Sequence, residues 1–239
     1  MTQPLPGPRL DGLLFAEGEV TCGGSRGFAW NRAKEQQSGD WWAVRSAGDG
    51  VVLVIADTVG HGQTASGLAA TAFGSFQMAC LGMRDDLQPA SLLDLMNRVW
   101  VDMLGEVSVM SVLAMRIDST RVTYASAGHP APILVGANGA ETLATDGAPP
   151  LGARGATRYP QHELVVAAGD VLVAYTDGVT EQRGPDGVRF GSRRLLEGCA
   201  QAGRSPEALV AHVRTALHAH EAGEPSADDA SVVTWAVGP

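Results

Sequence analysis

Two apolar runs that each end at an aspartate constrain the fold of this chain more than any other feature of its sequence. Residues 51–56 (Val-Val-Leu-Val-Ile-Ala) lead directly into Asp57, and residues 171–176 (Val-Leu-Val-Ala-Tyr-Thr) lead into Asp177. Short runs rich in valine and other β-formers are typical of strands. We therefore predict two strands that each deliver a carboxylate at one end.

Two further aspartates are expected at the same edge. Asp40 stands before an earlier strand, and the Ala-Gly-Asp-Gly sequence at 47–50 predicts a hairpin turn from that strand into the run before Asp57. This pairing would place Asp40 and Asp57 at the same end of the hairpin. Asp228 lies just before the last predicted strand. The sequence therefore predicts four carboxylates at one rim of a sheet.

The remaining sequence predicts strands and helices in separate blocks. The predicted strands are 109–117, 121–126, 131–135, 162–167, 171–176 and 231–237, and the predicted helices are 63–82, 89–104, 192–200 and 206–220. Ser205 is expected to cap the last helix, with Pro206 in its first turn. Glycine-rich residues 23–27 are predicted as a loop. This pattern favours an α+β fold with sheets in the middle and helices outside.

Composition limits the class of protein. With 239 residues, 45% of them apolar, we expect one domain at 11–239 after a flexible, proline-rich tail at 1–10. The formal net charge of −9 argues against binding to nucleic acid or an anionic membrane. Three scattered cysteines predict neither a disulfide framework nor a zinc site. Without a signal sequence or an apolar membrane span, we expect a cytoplasmic protein that is not inserted in a membrane.

Four clustered carboxylates point to bound cations. Their mutual repulsion would be tolerable only with divalent cations or shared protons. Mg²⁺ and Mn²⁺ prefer oxygen ligands, so aspartates without histidine or cysteine favour these ions over zinc. Two such ions about 3.5–4 Å apart can lower the pKa of a bridging water and hold a phosphoryl group for in-line attack. This reasoning predicts hydrolysis of phosphate esters; the alternative is that the aspartates only form turns.

Four motifs, taken in order, resemble those of a known family. They are Asp-Thr-Val-Gly-His-Gly at 57–62, Ala-Gly-His-Pro at 127–130, Tyr-Thr-Asp-Gly-Val-Thr-Glu at 175–181 and Asp-Asp-Ala-Ser at 228–231. Together they resemble metal-dependent Ser/Thr phosphatases of the SpoIIE and RsbU type, within the protein phosphatase 2C superfamily, over about residues 36–237. The resemblance implies an αββα sandwich of two central, mostly antiparallel β-sheets flanked by helices. It also implies a protein serine/threonine phosphatase that uses two Mn²⁺ or Mg²⁺ ions.

The resemblance assigns roles to individual residues. The implied metal ligands are Asp40, Asp57, the backbone carbonyl of Thr58, Asp177 and Asp228. Asp57 would bridge both ions, and Asp57 and Asp177 would be the catalytic residues. Asp228 is preferred to Asp229 because neighbouring strand residues point in opposite directions, so only one of the pair can enter the site.

Four residues are candidates for contact with phosphate or substrate: Arg32, Lys34, Gly60 and His61. Arg32 and Lys34 lie roughly where distant relatives use an arginine to hold phosphate, although a solvated surface role is the alternative. Gly60 would let the backbone approach the phosphate. His61 could act as a general acid or only contact the start of a helix, and for His129 we favour a structural role in its turn.

The resemblance also implies partners. The expected substrate is a phosphorylated protein, specifically an anti-sigma antagonist with a STAS domain in bacterial partner switching. Control would come from a homodimer or a separate regulatory protein. One alternative is a pseudophosphatase that only binds a partner, suggested by Ala43, where many relatives carry aspartate, and by Thr58, where relatives often carry a smaller residue. The other alternative is a phosphoesterase that acts on a small metabolite.

Overall fold

Two antiparallel β-sheets lie face to face between two layers of helices in this computed structural model, which describes residues 17–83, 87–105 and 108–238. The proline-rich tail predicted at 1–10 lies outside these residues. In chain order the elements are β1 (Gly18–Cys22), β2 (Ser25–Arg32), β3 (Asp40–Ala47), β4 (Gly50–Thr58), α1 (Gly62–Met83), α2 (Pro89–Leu104), β5 (Met110–Ile117), β6 (Arg121–Ala127), β7 (Ile133–Gly136), β8 (Gly139–Thr142), β9 (His162–Val165), β10 (Val171–Tyr175), α3 (Asp177–Glu181), α4 (Gly191–Ala202), α5 (Pro206–Glu221) and β11 (Ala230–Ala236). The predicted αββα sandwich is confirmed.

The sheets differ in strand order. The six-stranded sheet runs β1-β2-β11-β10-β7-β8, and the five-stranded sheet runs β3-β4-β5-β6-β9. Helices α1 and α2 pack on the five-stranded sheet, and α4 and α5 pack on the six-stranded sheet. A third apolar layer fills the space between the sheets. Among the described residues, none of the helices combines the length and apolarity that a membrane crossing requires.

Strand β4 explains why the run before Asp57 is apolar at every position. Successive strand residues point to opposite faces. Val52 and Val54 pack toward α1 and α2, whereas Leu53 and Ile55 pack between the sheets. Both faces of β4 are therefore core, and the alternation of polar and apolar residues seen in half-exposed strands is lost.

The predicted hairpin is confirmed in its register. In the antiparallel pair of β3 and β4, Asp40 lies directly opposite Asp57, and Ala47 lies opposite Gly50 at the turn. Gly48 takes a φ of 63° in this turn, a left-handed conformation that glycine adopts without strain. The turn therefore fixes the two aspartates at the same end.

The loop predicted at 23–27 is mostly wrong, because only residues 23 and 24 form the turn between β1 and β2. Gly27 lies inside β2, opposite Trp235 of β11. A Cβ atom at Gly27 would overlap the Trp235 ring and the carbonyl oxygen of Thr234. The glycine therefore marks a close approach between strands and not a loop. Strands β1, β2 and β8 and the short helix α3 were also not predicted.

Gly27→Ala should destabilise the protein by about 1–3 kcal/mol, because the added methyl group has no space beside Trp235. Gly67→Ala is the matched control, since Gly67 lies in α1 with no atom within 4 Å of an added Cβ among the described residues. That variant should be stabilised by about 0.5–1 kcal/mol. Urea unfolding measures both. Equal effects of the two substitutions would contradict the packing assigned to Gly27.

Candidate metal centre

Asp40 lies at the mouth between the two sheets and is fastened to both. It opens β3, on the strand face that Trp42 and Val44 also use to pack between the sheets. Its Oδ2 accepts hydrogen bonds of 2.7 Å from the hydroxyl groups of Thr176 and Ser231, which belong to the opposite sheet edge. Both hydroxyls lie inside the sequence motifs, but nothing in the sequence indicated that they hold Asp40.

The other oxygen of Asp40 is left without a partner. The side chain is 2% exposed, and Oδ1 makes no hydrogen bond within the part of the chain that the structure describes. Burial raises the pKa of Asp40 to about 7, although the hydrogen bonds from Ser231 and Thr176 oppose the rise. A buried carboxylate oxygen without a donor is unfavourable unless a cation or proton satisfies it.

Asp57 stands at the centre of the carboxylates. Burial raises its pKa to about 9, and the negative charges of Asp40, Asp177 and Asp228 add to the rise. A hydrogen bond between the side chains of Asp57 and Asp177 further favours a proton on Asp57. The structure thus brings together all four aspartates that the sequence placed at one rim, and burial with mutual repulsion favours the protonated forms of Asp40, Asp57 and Asp177.

Asp177 and Asp228 form the outer side of the cluster. Asp177 is the first residue of α3, directly after β10, and both side chains are exposed. Although Asp177 reaches the surface, desolvation by the surrounding protein raises its pKa, and Glu181 and Asp228 add to the rise. The cluster therefore grades from the buried Asp40 to two carboxylates that solvent can reach.

Asp229 has a different task from its neighbour. It is 4% exposed, and its two carboxylate oxygens accept hydrogen bonds of 2.7 Å from the backbone N–H groups of Lys34 and Gly39. Both oxygens are used to hold the loop that leads into Asp40. Asp228 is exposed, and its Oδ1 accepts a 2.9 Å hydrogen bond from the N–H of Asp229, so Asp228 is the carboxylate of the pair that solvent can reach; its preference as the metal ligand stays a prediction.

Thr58, whose carbonyl is the predicted fifth ligand, ends β4. Its N–H donates to the carbonyl of Gly39 at 3.3 Å, and a Cβ on Gly39 would lie 2.9 Å from the carbonyl oxygen of Thr58. Only glycine leaves room for this approach. The Thr58 hydroxyl is buried and has no hydrogen-bond partner among the described residues, so the side chain itself contributes nothing polar to the site.

Ala43 lies away from the carboxylates. It is fully buried in the apolar layer between the five-stranded sheet and α1 and α2, on the strand face opposite to that of Asp40. The absence of an acidic side chain at this position therefore leaves the mouth between the sheets unchanged.

The Gly-His-Gly segment at 60–62 leads into α1, which begins at Gly62. Gly60 and Gly62 have φ angles of 97° and 77°. His61 Nδ1 lies 2.7 Å from Glu35 Oε1, and both side chains are largely exposed. The other carboxylate oxygen of Glu35 lies 2.7 Å from the position of a Cβ on Gly62. His61 thus contacts a carboxylate at the helix start, the structural alternative weighed for it.

The two basic candidates differ in their surroundings. Arg32 NH1 lies 2.5 Å from Oε1 of the buried Glu221 in α5, and its guanidinium stacks over Trp30. A phosphate contact by Arg32 would require this ion pair to open. Lys34 is exposed, and its backbone is fixed to Asp229 at the carboxylate rim.

His129 takes a structural position. It is 4% exposed, its Nδ1 lies 2.7 Å from Ser111 Oγ, and its backbone N–H and carbonyl both bond to Ser126 Oγ. Burial lowers its pKa to about 3, so the ring is neutral at physiological pH. It holds the turn after β6, as favoured from the sequence.

The donor set suits hard cations. In the described ranges, no three acidic, histidine or cysteine side chains are already arranged to hold a metal ion. The unpartnered oxygen of Asp40 and the crowding around Asp57 are what two divalent ions would relieve. The chemistry of these residues therefore fits the implied ions, and the side chains would have to move to hold them.

Comparison with known proteins decides the family. The family model described as Stage II sporulation protein E (SpoIIE) matches residues 47–237. The chain belongs to the SpoIIE family. Among curated proteins, this SpoIIE-family chain is 24% identical over 132 residues to Protein IcfG of Synechocystis sp.. That match covers 54% of the chain but only 21% of IcfG, so the chain spans about a fifth of this relative's length.

Solved structures share the fold. The PP2C domain of SiaA from Pseudomonas aeruginosa has a TM-score of 0.77 at 23% identity, covering 87% of this chain and 85% of that one. The RsbU and RsbW domains of Rv1364c from Mycobacterium tuberculosis score 0.75 at 22% identity, with 98% and 64% covered. The catalytic domain of the serine/threonine protein phosphatase PstP, solved with two manganese ions, scores 0.63 at 17%, with 90% and 99% covered. Each of these structures is less than 25% identical to the chain, so the likeness shows a shared fold.

Replacing Asp57 with asparagine should stabilise the metal-free protein at pH 8. The pKa of Asp57 rises from 3.8 to about 9 on folding, so the folded chain holds a proton that the unfolded chain releases as pH increases. The contribution of Asp57 to stability is therefore fully present below about pH 4 and is lost progressively up to about pH 9. Asparagine removes this loss, and thermal unfolding in a chelator should show Tm higher by roughly 2–4 °C for each 1 kcal/mol gained.

The control is Glu163→Gln, which removes an equal charge from an exposed ion pair with Arg121 on strand β9. The Tm of Glu163→Gln should change little at pH 4 or at pH 8. An Asp57→Asn effect that is equal at pH 4 and pH 8 would contradict the crowding described for Asp57.

Proposed function

We propose that this chain is a metal-dependent protein serine/threonine phosphatase that hydrolyses phosphoserine or phosphothreonine at a centre of two Mn²⁺ or Mg²⁺ ions. The observation that carries the proposal is the convergence of Asp40, Asp57, Asp177 and Asp228 at the mouth between the sheets, where burial raises the pKa values of the first three. When bound, the ions would supply an activated water and would neutralise charge on the phosphoryl oxygens.

The protein's own residues would hold the ions and orient the ligands around them. Asp57, at the centre of the cluster, would contact both ions, and Asp177 and Asp228 would bind from the solvent side. Asp40 would bind from the buried side with its unpartnered Oδ1. The hydrogen bonds from Thr176 and Ser231 keep Asp40 from turning away. The carbonyl of Thr58 would complete the ligands.

A protein substrate fits the shape of the site. The outer carboxylates, Asp177 and Asp228, are exposed at an open rim, so a phosphorylated side chain on a protein surface can reach them. The exposed ammonium of Lys34 at the same rim would pair with the phosphate dianion.

We further propose a phosphorylated STAS-domain antagonist as the substrate, in a bacterial partner-switching pathway. Support comes from the similarity to a structure that contains RsbU and RsbW domains. Control by a homodimer or by a separate regulatory protein, and a cytoplasmic location, stay predictions.

Two residues, Ala43 and Thr58, suggested the pseudophosphatase alternative, and the position of Ala43 no longer supports it. Ala43 packs against the helix layer, away from the carboxylates, so it does not weaken the centre. Thr58 would bind through its backbone, for which the identity of the side chain matters little. A small-metabolite phosphoesterase remains the competing activity, and the choice of substrate in the assay distinguishes the two.

Asp57→Asn and Asp177→Asn should each lower Mn²⁺-dependent release of phosphate from a phosphoserine peptide by at least about 100-fold, because each removes a ligand of the ions. Both variants should stay folded, since each relieves repulsion among the carboxylates. Glu163→Gln should keep wild-type turnover. Turnover at the wild-type rate in either aspartate variant would refute the assignment.

The wild-type substrate range tests the class. Release from a phosphoprotein or phosphopeptide with little release from sugar phosphates or nucleotides supports the proposal. A preference for the small phosphates would favour the metabolite phosphoesterase, and no release at full Mn²⁺ occupancy would favour the pseudophosphatase.

Lys34→Gln should raise KM for a phosphopeptide about fivefold with kcat nearly unchanged, the size expected for an exposed charge pair of about 1 kcal/mol. Arg32→Gln should instead lower the free energy of unfolding, by about 1–3 kcal/mol, because it leaves the buried Glu221 without its cation. Steady-state kinetics and urea unfolding separate the two effects. A larger KM effect for Arg32→Gln than for Lys34→Gln would reverse the assignment.

A further inference from the structure

Gln182 is a polar side chain that the proposed chemistry does not use but that is buried beside the carboxylates. It directly follows α3, the helix that begins with Asp177, and it is 1% exposed. Burial of a carboxamide is unfavourable unless its oxygen and nitrogen are both hydrogen-bonded. The partners of Gln182 therefore indicate what the burial achieves.

These partners belong to the segment that leads into Asp228. The Oε1 atom of Gln182 accepts a 2.9 Å hydrogen bond from the N–H of Ala227, and Nε2 donates to the carbonyl of Pro225 at 3.1 Å. Nε2 also donates to the carbonyl of Arg183 at 3.2 Å. One side chain thus ties the segment before Asp228 to the end of α3.

The other side of Asp228 is held independently. Asp229 is anchored by its hydrogen bonds from Lys34 and Gly39. A Cβ on Gly178 in α3 would overlap the carbonyl oxygen of Asp229, so the helix and this segment are in direct contact. Asp228, although exposed, is therefore flanked on both sides by residues with fixed positions.

We propose that Gln182 is a positioning residue that sets the separation between the Asp177 and Asp228 carboxylates, and so the affinity for a divalent ion that these two carboxylates hold together. The inference rests on the proposed function. Residues that orient metal ligands through hydrogen bonds commonly change metal affinity by about 10–100-fold when they are replaced. Gln182 would act through the backbone of Ala227 and not by touching the ion or the substrate.

The test is a Mn²⁺ titration of the full chain, followed by the electron paramagnetic resonance signal of free Mn²⁺. Wild type should bind two ions. Gln182→Met, which keeps the length of the side chain but loses the amide, should bind one of them at least about tenfold more weakly. The Mn²⁺ concentration for half-maximal turnover should rise by the same factor, while kcat at saturating Mn²⁺ stays within about threefold of wild type.

Gln182→Glu is the second variant, because its carboxyl oxygen can still accept from Ala227. Its second carboxyl oxygen meets the carbonyls of Pro225 and Arg183 and cannot donate to them as Nε2 does, so this variant should also weaken the same ion, and it decides the outcome if Gln182→Met does not fold. Asn97→Leu is the matched control. Asn97 is a fully buried amide that ties Gly152, Arg154 and Gly155 to α2, so its loss should lower Tm without changing Mn²⁺ affinity.

Three outcomes are distinct. Weakened binding in the Gln182 variants alone supports the inference. Two ions bound with wild-type affinity by the Gln182 variants would overturn it and leave the proposed function standing. No binding by wild type would overturn both.

Discussion

The fold holds four mutually repelling carboxylates close together at the mouth between its two sheets, and this repulsion is the constraint on which the rest of the site depends. Asp40 and Asp57 are forced together by the register of one hairpin, and Asp177 and Asp228 approach from the other sheet. Without cations, protons on the carboxylates are favoured, and the raised pKa values of Asp40 and Asp57 reflect this. Such a cluster opposes folding at neutral pH. Its presence at the mouth between two apolar sheets therefore points to a bound partner of opposite charge.

Much of the surrounding architecture holds these carboxylates in place. The apolar layers on both faces of β4 fix the strand that carries Asp57, and hydroxyl groups from the opposite sheet fix Asp40. Asp229 and Gln182 use buried hydrogen bonds to fasten the loops on either side. Buried inner carboxylates held by hydrogen bonds, together with exposed outer ones, suit a site that would retain metal ions while admitting a large substrate.

Elements that depend on residues near each other in the sequence, such as helices and their caps, were predicted correctly. Helix α2 was predicted at its observed bounds, and Ser205 caps α5 as expected, accepting from the N–H of Ala208. The features that were not predicted depend on contacts between residues far apart in the sequence. Gly27 resembles a loop residue until Trp235 lies across from it. The partners of Asp40 and the anchoring role of Asp229 likewise arise only when the two sheets meet, and no local pattern encodes them.

The most direct measurement is anomalous diffraction at the manganese absorption edge from crystals grown with Mn²⁺. The account predicts two peaks about 3.5–4 Å apart, both within bonding distance of the Asp57 carboxylate, with Asp177 and Asp228 on the solvent side and Asp40 on the buried side. Peaks that lie elsewhere on the surface, or a carboxylate cluster without manganese at saturating concentrations, would contradict it.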